Sequence, residues 1–468
     1  MGARRRAGTG AIRAWGLTVN LMLDVFAGDA FMARIGHDPL TDAWTLAYDA
    51  AWLQAPHAFP LSPALPLAPP APGYDARSIK RFIEHLLPEG HALDVAVTTN
   101  GLAKSNVFGL IRALGAETAG ALRFQDARAD IGAVAEHRTR EIPIAELDAR
   151  IADHNTPFTV WDGKVRMSVA GVQDKLLVYL DAPLDEGGRL LLVEGPRLAS
   201  THILKPDLGQ PRLPHLAVNE HFCMTLARRI GLPAAEVQLL RTPQPVLVVR
   251  RFDRIAQGQG DMTQVERLHM VDACQACDLP VSFKYERNLG NGAEVRSIRD
   301  GMSFERLFGL CALTGNKAVA KLTMLRWALF QFLIGNSDAH GKNFSFFVRP
   351  GGHLEPTPWY DLVGVTQYDH FDTELAMAFG DAFTFADVTP FALADFAVRC
   401  GVDRKLMRRE ARRLCTAARD AVLELAASSD YRDNERVFVI RLANCIGAQA
   451  TRLEQLAHEA AAIPTRFL

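Results

Sequence analysis

Residues 335–345, with the sequence GNSDAHGKNFS, carry the side chains whose types and spacing could support a reaction. Asp338 and Asn343 stand in a D-x-x-x-x-N spacing. Phosphoryl transfer requires a carboxylate that accepts or orients the proton of the attacking hydroxyl, and an oxygen ligand for Mg²⁺ nearby. Protein kinases carry both groups on one loop at this spacing. We therefore predict that Asp338 and Asn343 are catalytic residues and that Asn343 also binds the metal.

A second carboxylate follows at the far end of a predicted β-hairpin, NFSFFV–RPGG–HLEPTPWYD. Protein kinases return their second metal-binding aspartate to the site after such a hairpin. Asp361 takes that place here, although Leu362 and Val363 stand where Phe-Gly is usual. The predicted Mg²⁺ ligands are therefore Asn343 and Asp361.

Two residues further upstream could hold the nucleotide phosphates. Lys205 ends a predicted strand, HILK, and Glu220 lies early on the helix that follows it. A lysine that projects from a strand into a cleft needs a carboxylate to hold its ammonium group. The order and spacing predict that Lys205 contacts the ATP phosphates and that Glu220 holds Lys205.

Each of these features is weak when taken alone. The D-x-x-x-x-N pattern occurs by chance, a lysine at the end of a strand is usually solvated, and an isolated Asp338 or His340 is more often a capping or surface residue. The Asp-x-His of residues 338–340 could also indicate a metal hydrolase, but the further ligands at set spacing are missing from the sequence. Four elements in kinase order favour phosphoryl transfer.

The segment that covers the phosphates is the least conventional part of this prediction. The sequence lacks G-x-x-x-x-G-K-[ST], which excludes the P-loop NTPases. GNGAEV, at residues 290–295, lies after the lysine strand rather than before it and is better read as an ordinary loop. SVAGVQDK, at residues 168–175, precedes the strand KLLVYL as a phosphate-covering loop should, although it holds only one glycine.

Composition restricts the class of protein and its location. A chain of 468 residues is too long for one ordinary core, so two or three domains are expected. The net charge of −1 argues against a chain-wide basic surface for nucleic acid. Seven scattered cysteines, with a single C-x-x-C at Cys274 and Cys277, suit buried thiols in a reducing cytoplasm better than a disulfide framework or a zinc site. No apolar run reaches the length of about 18 residues that predicts a membrane-spanning helix.

The order of predicted elements indicates an α+β protein. Alternating apolar and polar stretches in residues 16–50 predict a small antiparallel sheet, and residues 76–87 have the apolar spacing of a helix that stops at Pro88. We predict four regions: an N-terminal subdomain of small sheet and helices (1–125), a linker (126–160), a nucleotide-binding N-lobe of sheet and one helix (161–260), and a mostly helical C-lobe with the metal-binding hairpin (261–468).

The ordered motifs SVAGVQDK, THILKP, NEHFC, VVRRFDR, VDACQACDLP, IGNSDAHGKNFS and PWYDLVG resemble those of the HipA-type serine/threonine-protein kinase toxins. The resemblance spans roughly residues 45 to 440 and includes YDAAWL, PLSPALPL and HLLPEG in the first subdomain. It implies a bilobal kinase-like fold with an appended N-terminal subdomain, and an enzyme that uses ATP and Mg²⁺. It also implies autophosphorylation at a regulatory serine, which corresponds to Ser168 here.

The resemblance assigns further positions. It places Gly171 and Gln173 in the flexible loop over the phosphates and Arg251 and Phe252 on the hinge that meets adenine through backbone groups. It implies further site positions, namely His340 beside the nucleotide, Asp253 after the hinge, Gln275 where the helical lobe opens, and Lys205, Asp338, Asn343 and Asp361 in the roles given above.

Two departures and several alternatives accompany the resemblance. Arg250 stands where many relatives have glutamate, and Asp278 stands where glycine is common, so a local turn is expected to differ. The implied partners are a small helix-turn-helix antitoxin, operator DNA only through that complex, and a protein substrate such as an aminoacyl-tRNA synthetase. The alternatives are a catalytically weak corepressor partner of the antitoxin and a small-molecule kinase.

Overall fold

A computed structural model describes most of the chain. The described residues are 21–128, 137–153, 155–166, 174–195, 197–209, 211–257, 262–371 and 373–468. Three predicted site residues, Ser168, Gly171 and Gln173, lie outside the described residues.

The N-terminal subdomain is a four-stranded antiparallel sheet covered by short helices. Its strands follow the order β3-β2-β1-β4, so the predicted sheet gains a fourth strand from the end of the subdomain. Asp49 and Asp75 cap the first two helices with their side chains, as expected of aspartates that precede a helix. The elements are β1 Leu21–Ala27, β2 Ala30–Asp38, β3 Ala43–Tyr48, α1 Ala50–Gln54, α2 Ala76–Glu84, α3 Gly90–Asn100, α4 Val107–Leu114 and β4 Leu122–Asp126.

The N-lobe is a six-stranded antiparallel sheet of order β11-β12-β10-β8-β9-β5, with one long helix against it. Its strands are rich in Val, Leu and Ile, and successive residues face opposite sides of the sheet. The elements are β5 Arg138–Glu141, α5 Ile144–Ala152, β6 Val160–Trp161, β7 Lys164–Val165, β8 Leu176–Leu180, β9 Leu190–Glu194, β10 His202–Pro206, α6 Leu216–Arg229, β11 Val237–Arg241 and β12 Pro245–Arg250.

The segment predicted as a linker contains structure that the sequence did not indicate. Strand β5 pairs with β9 at the edge of the six-stranded sheet, and α5 packs Leu147 and Ile151 beneath that sheet. The strand was missed because its residues, RTRE, are polar on both faces, as an exposed edge strand tolerates. Residues 137–153 therefore belong to the N-lobe.

The C-lobe is mostly helical, and the predicted hairpin is present in it. Strands β16 and β17 pair as a hairpin, and β15 lies on the other side of β16. The elements are β13 Arg254–Ala256, β14 Val265–Arg267, β15 Met270–Asp272, α7 Ala273–Ala276, α8 Phe304–Gly309, α9 Lys317–Ile334, β16 Ser345–Val348, β17 Leu354–Pro356, β18 Glu374–Phe379, β19 Ala382–Thr384, α10 Pro390–Arg399, α11 Arg404–Ala426 and α12 Asp433–Ala462. Among the described residues, no helix combines the length and apolar character needed to cross a membrane.

The N-terminal subdomain shares one hydrophobic core with the C-lobe. Leu23, Phe82 and Phe108 of the subdomain belong to the same buried cluster as Trp327 of α9 and Leu453 of α12. A second cluster lies under the other face of the N-lobe sheet, against α5. The predicted α+β, bilobal class is confirmed, and the first subdomain is packed into the body of the protein.

Candidate active site

Ten predicted site residues line one cleft of about 920 Å³ between the two lobes, and five of these carry the predicted chemistry. The five are Lys205, Glu220, Asp338, Asn343 and Asp361. They come from β10, α6, the loop after α9 and the segment after β17, so residues up to 156 positions apart in the chain meet there. A cleft lined by apolar surface and a few convergent charged groups is the usual form of a small-molecule site.

Strand alternation explains why Lys205 faces the cleft. Leu204 points into the core under the sheet, so its neighbour Lys205 points to the opposite face. Lys205 lies directly across from Leu247, which packs in the cluster that contains α6. Glu220 lies on that helix, and its Oε1 accepts a 2.7 Å hydrogen bond from the Lys205 ammonium group. Lys205 also donates to Asp361, so it bridges two carboxylates.

The charges in this cluster depend on one another. Burial works against the charged form of Lys205, but attraction to Asp361 and Glu220 outweighs it and raises the pKa of the lysine. Burial likewise opposes the charge of Asp361, and the cations of Lys205 and Lys175 nevertheless hold the pKa of that carboxyl low. For Glu220, burial dominates and raises the pKa despite its lysine partner. Lys205 and Asp361 are therefore charged at neutral pH, whereas the Glu220 carboxyl, with its pKa raised to about 7, is partly protonated there.

Asp361 adopts a backbone conformation that few residues other than glycine tolerate. Its φ is +52°, in the left-handed region, where aspartate and asparagine are the least strained of the larger residues. The preceding residue but one, Trp359, is held by two backbone hydrogen bonds, from its N–H to Pro233 and from Ala235 to its carbonyl. Such conformations are concentrated at functional sites, where the surrounding structure enforces them. No local pattern in the sequence predicts this turn.

The loop at residues 335–344, which we call the catalytic loop, is fixed at its start. Helix α9 ends at Gly335, whose φ of +69° reverses the chain. The next residue, Asn336, bonds Gln331 through its side-chain nitrogen and accepts from the backbone N–H of Asp338. Asp338 itself is exposed in the cleft, and the hydroxyl of Tyr285 donates to its Oδ1 at 2.8 Å.

Asn343 and His340 lie beside Asp338 with unused polar atoms. The Nδ2 of Asn343 donates to the backbone carbonyl of Asp338, which leaves the Oδ1 of the same amide as the atom that could bind a cation. The Nδ1 of His340 is buried and makes no hydrogen bond with the described residues. Burial lowers the pKa of this imidazole, which favours the neutral ring. The His340 ring also meets Tyr285 edge-on, with centroids 5.3 Å apart.

The donor set suits Mg²⁺ better than a transition metal. Within the described part of the chain, no three His, Cys, Asp or Glu side chains gather as a metal site. Asn343 and Asp361 offer an amide and a carboxylate oxygen on the same cleft, and Mg²⁺ is commonly held by one or two such ligands together with phosphate oxygens and water. The residues therefore fit a nucleotide-bound Mg²⁺.

At the predicted hinge, the side chains of Arg251 and Asp253 are buried in an ion cluster. Arg251 and Asp253 form a buried ion pair at 2.7 Å, and Arg251 also pairs with Glu117 of the N-terminal subdomain. Phe252 lines the cleft and packs against Tyr360, with ring centroids 5.8 Å apart. The backbone N–H of Arg251 bonds the carbonyl of Thr201, so contact of this backbone with adenine stays a prediction, and the Asp253 side chain is part of a structural cluster.

Gln275 and Asp278 connect the C-lobe to the N-terminal subdomain. Gln275 forms a capping box with Asp272 at the start of α7 and donates to the backbone of Phe82. Asp278 has a φ of +53°, a left-handed value that glycine adopts without strain, and its carboxylate accepts from Ser78 at 2.6 Å. The side chain thus adds a bond that glycine could not make.

Comparisons with known proteins identify the family of this chain. Residues 167–422, more than half of the chain, match the model of the HipA-like C-terminal domain, and residues 23–125 match that of the HipA N-terminal domain. The chain belongs to the HipA family of serine/threonine-protein kinase toxins. It is accordingly an enzyme, a protein kinase, and its kinase-like fold is the one predicted.

Individual relatives extend over nearly the whole chain. The serine/threonine-protein kinase toxin HipA of Shewanella oneidensis is 41% identical over 411 residues, which cover 86% of this chain and 90% of the relative. The putative kinase Y4mE of Sinorhizobium fredii is 33% identical over 401 residues, covering 84% and 89%. In the solved complex of Shewanella oneidensis HipA, HipB and operator DNA, the similar chain has a TM-score of 0.83 at 38% identity and covers 95% of this chain and 100% of its own.

Three residues of this HipA-family cleft were not singled out from the sequence. Lys175, Tyr285 and Glu89 all line the cleft. Lys175 ends the quoted motif SVAGVQDK, so its position beside a strand of the nucleotide-binding lobe was a usable signal. Tyr285 follows a lysine in a loop, and Glu89 lies in another subdomain, so no local pattern connects either of them to Asp338.

Lys175 makes the stability of the protein depend on pH. Burial and, next, the neighbouring cation of Lys205 lower its pKa from 10.5 to about 8. Between these values the unfolded chain binds more protons than the folded one, so the folded state gains stability as the pH rises from about 8 to 10.5.

We expect Lys175→Met to remove this gain, because methionine fills similar volume without a charge. Thermal unfolding of both proteins across that pH window measures it. The wild-type midpoint should rise relative to the variant as the pH increases, and parallel curves would show that Lys175 is not desolvated in the folded state.

Proposed function

We propose that the chain is an ATP- and Mg²⁺-dependent kinase of a toxin–antitoxin module, which transfers the γ-phosphate to a serine or threonine hydroxyl of a protein and phosphorylates itself. The observation that carries this proposal is the meeting of Lys205, Glu220, Asp338, Asn343 and Asp361 in one cleft. Phosphoryl transfer depends on positioning and charge stabilisation, and these residues supply both.

Each side chain has a distinct task in this mechanism. Lys205, held by Glu220, binds the α- and β-phosphates and offsets their negative charge. Asp338 accepts the hydrogen bond of the substrate hydroxyl and orients its oxygen towards the γ-phosphorus. Mg²⁺, held by Asn343 and Asp361, would neutralise charge on the β- and γ-phosphates. His340, neutral and buried, would lie beside the nucleotide at the wall of the cleft.

Partners follow from the family rather than from the cleft. The similar solved chain is part of a complex with HipB and operator DNA. We infer that this chain pairs with a small helix-turn-helix antitoxin and contacts operator DNA only through that complex. We also infer that it acts in the cytoplasm, where ATP is found, on a protein substrate such as an aminoacyl-tRNA synthetase. The corepressor and small-molecule alternatives are less favoured, because every charged group that a protein kinase needs is present.

Autophosphorylation at Ser168 is the direct test of this function. Ser168 precedes β8 in the sequence, and the family resemblance assigns it to the loop over the nucleotide phosphates. A phosphate on it would add about −1.5 to −2 charges next to a site for an anionic nucleotide. We expect mass spectrometry of protein incubated with Mg-ATP to find phosphate on Ser168 in the wild type and not in Asp338→Asn.

The modified protein should then bind ATP more weakly, because like charges repel. Calorimetry on the separated phosphorylated form measures this affinity. Active wild type without phosphate on Ser168, or unchanged ATP binding after modification, would refute the regulatory role of that serine.

A further inference from the structure

A buried ion cluster joins the catalytic loop to the N-terminal subdomain. Its members are Glu89, at the N-terminal end of α3, Lys284 and Lys342. The Glu89 carboxylate lies 2.8 Å from the Lys284 Nζ and 2.7 Å from the Lys342 Nζ. The side chains of Glu89 and Lys284 are each 13% exposed and that of Lys342 is 4% exposed, so solvent screens these pairs only weakly.

The charge of Glu89 is fixed by its partners. Burial alone would raise the pKa of this carboxyl, but Lys342 and Lys284 outweigh it and lower the pKa to about 2. The Glu89 side chain makes no capping hydrogen bond to the first turn of its own helix. It points instead to the two lysines, across the seam between the N-terminal subdomain and the C-lobe.

Each lysine of the cluster is connected to Asp338 through the backbone of the catalytic loop or through one neighbouring residue. Lys342 belongs to the catalytic loop, four residues after Asp338. The backbone carbonyl of Lys284 accepts a 3.0 Å hydrogen bond from the backbone N–H of Gly341 in the same loop. The next residue, Tyr285, donates its hydroxyl to Asp338. One carboxylate from outside the kinase lobes therefore restrains both sides of the predicted catalytic aspartate.

Loss of this carboxylate would leave two cations near one another in a poorly solvated seam. The next carboxylate, Asp272, is 4.0 Å from the Lys342 Nζ and is already close to His85 at 3.5 Å. Removing one partner of a buried ion pair is strongly unfavourable, because the remaining charge is uncompensated. Lys342 and Lys284 would then shift towards solvent and take the backbone of the catalytic loop with them.

We propose that Glu89 is a positioning residue for phosphoryl transfer, through which the N-terminal subdomain holds Asp338 in its working orientation. The proposal rests on the proposed function of Asp338. Displacements of about 1 Å at a reacting group can cost roughly a hundredfold in rate. Because Glu89 contacts neither Lys205 nor Asp361, its loss acts on turnover rather than on ATP affinity.

The test compares two carboxylate-to-amide changes on the same seam in the full chain. Glu89→Gln should lower kcat for phosphate transfer from radiolabelled ATP to the protein by about tenfold to a hundredfold, with the KM for ATP changed less than about threefold. Asp278→Asn is the control, because it removes the charge that pairs with Arg81 between the same two subdomains, and asparagine tolerates the left-handed backbone there. Both variants should unfold at lower temperature, and only Glu89→Gln should lose turnover.

A double-mutant cycle tests whether Glu89 acts on Asp338 through Lys342. In a Lys342→Met background, Glu89→Gln should add less than about threefold to the loss, since contacting residues are not additive. Fully multiplied effects, or wild-type kcat in Glu89→Gln, would overturn the proposal. If Glu89→Gln does not fold, Glu89→Asp replaces it. The shorter carboxylate should lower kcat and leave the KM for ATP unchanged, and a wild-type kcat in this variant would also overturn the proposal. A wild type that transfers no phosphate would instead refute the proposed function.

Discussion

Asp338→Asn should reduce γ-phosphate transfer by about a hundredfold or more, which is typical of the loss of a positioned proton acceptor. Asparagine keeps the oxygen that accepts from Tyr285, but it cannot accept the proton of the substrate hydroxyl. Asp338 is exposed and makes no ion pair among the described contacts, so the thermal unfolding midpoint should stay close to that of the wild type. Phosphate incorporation from radiolabelled Mg-ATP measures the rate.

Asp420→Asn is the matched control for this experiment. Asp420 is an exposed carboxylate on α11, outside the cleft, and the same change there should leave transfer unaltered. ATP affinity provides a second comparison, because Asp338 acts at the hydroxyl and not at the phosphates. A purified Asp338→Asn protein that retains near wild-type turnover would exclude Asp338 as the catalytic carboxylate.

Asp361→Asn should abolish most of the effect of Mg²⁺ on ATP binding. Disturbing even the residues around a metal ligand costs about tenfold to a hundredfold in affinity, and loss of a ligand's charge should cost at least as much. Asparagine tolerates the left-handed backbone at residue 361, so the substitution removes charge with little change in conformation. Lys205 keeps its bond to Glu220. Calorimetry with ATP, with and without Mg²⁺, gives the two affinities.

Asp338→Asn supplies the control for the metal experiment, because it should retain the full Mg²⁺ enhancement of ATP binding. The two variants therefore separate hydroxyl activation from metal binding. If Asp361→Asn shows the same enhancement as the wild type, Asp361 is not a ligand and the second carboxylate of the site must be sought elsewhere in the cleft.

The fold could be predicted where local patterns carry it. Helix α2, the strands around Lys205 and the hairpin after Asn343 follow from apolar spacing and turn residues, and their order indicated the family. Strand β5 could not be predicted in this way, because pairing with β9 rather than its own composition makes it a strand. The left-handed turn at Asp361 likewise depends on contacts with Pro233, which is more than a hundred residues away.

The site shows the same division between local and distant information. Lys205 and Glu220 are close in sequence, and strand alternation sets them face to face. Spacing could not show that Arg251 pairs with Glu117 or that Asp253 accepts from the backbone N–H of Gly120, since these contacts span about 130 residues. Glu89 is hidden for a similar reason, because its two lysines lie roughly 200 and 250 positions further along the chain.

The core that the first subdomain shares with the C-lobe limits how this chain can be divided. A fragment that begins near residue 126 would retain every group of the cleft except Glu89 and its neighbours, yet it would expose the apolar faces that now meet Leu23, Phe82 and Phe108. Exposed surfaces of that kind promote aggregation. Fragments designed for binding studies or crystallisation must therefore contain the first subdomain together with the C-lobe. A deletion of the first subdomain would lower solubility, so a loss of activity in it would not report on catalysis alone.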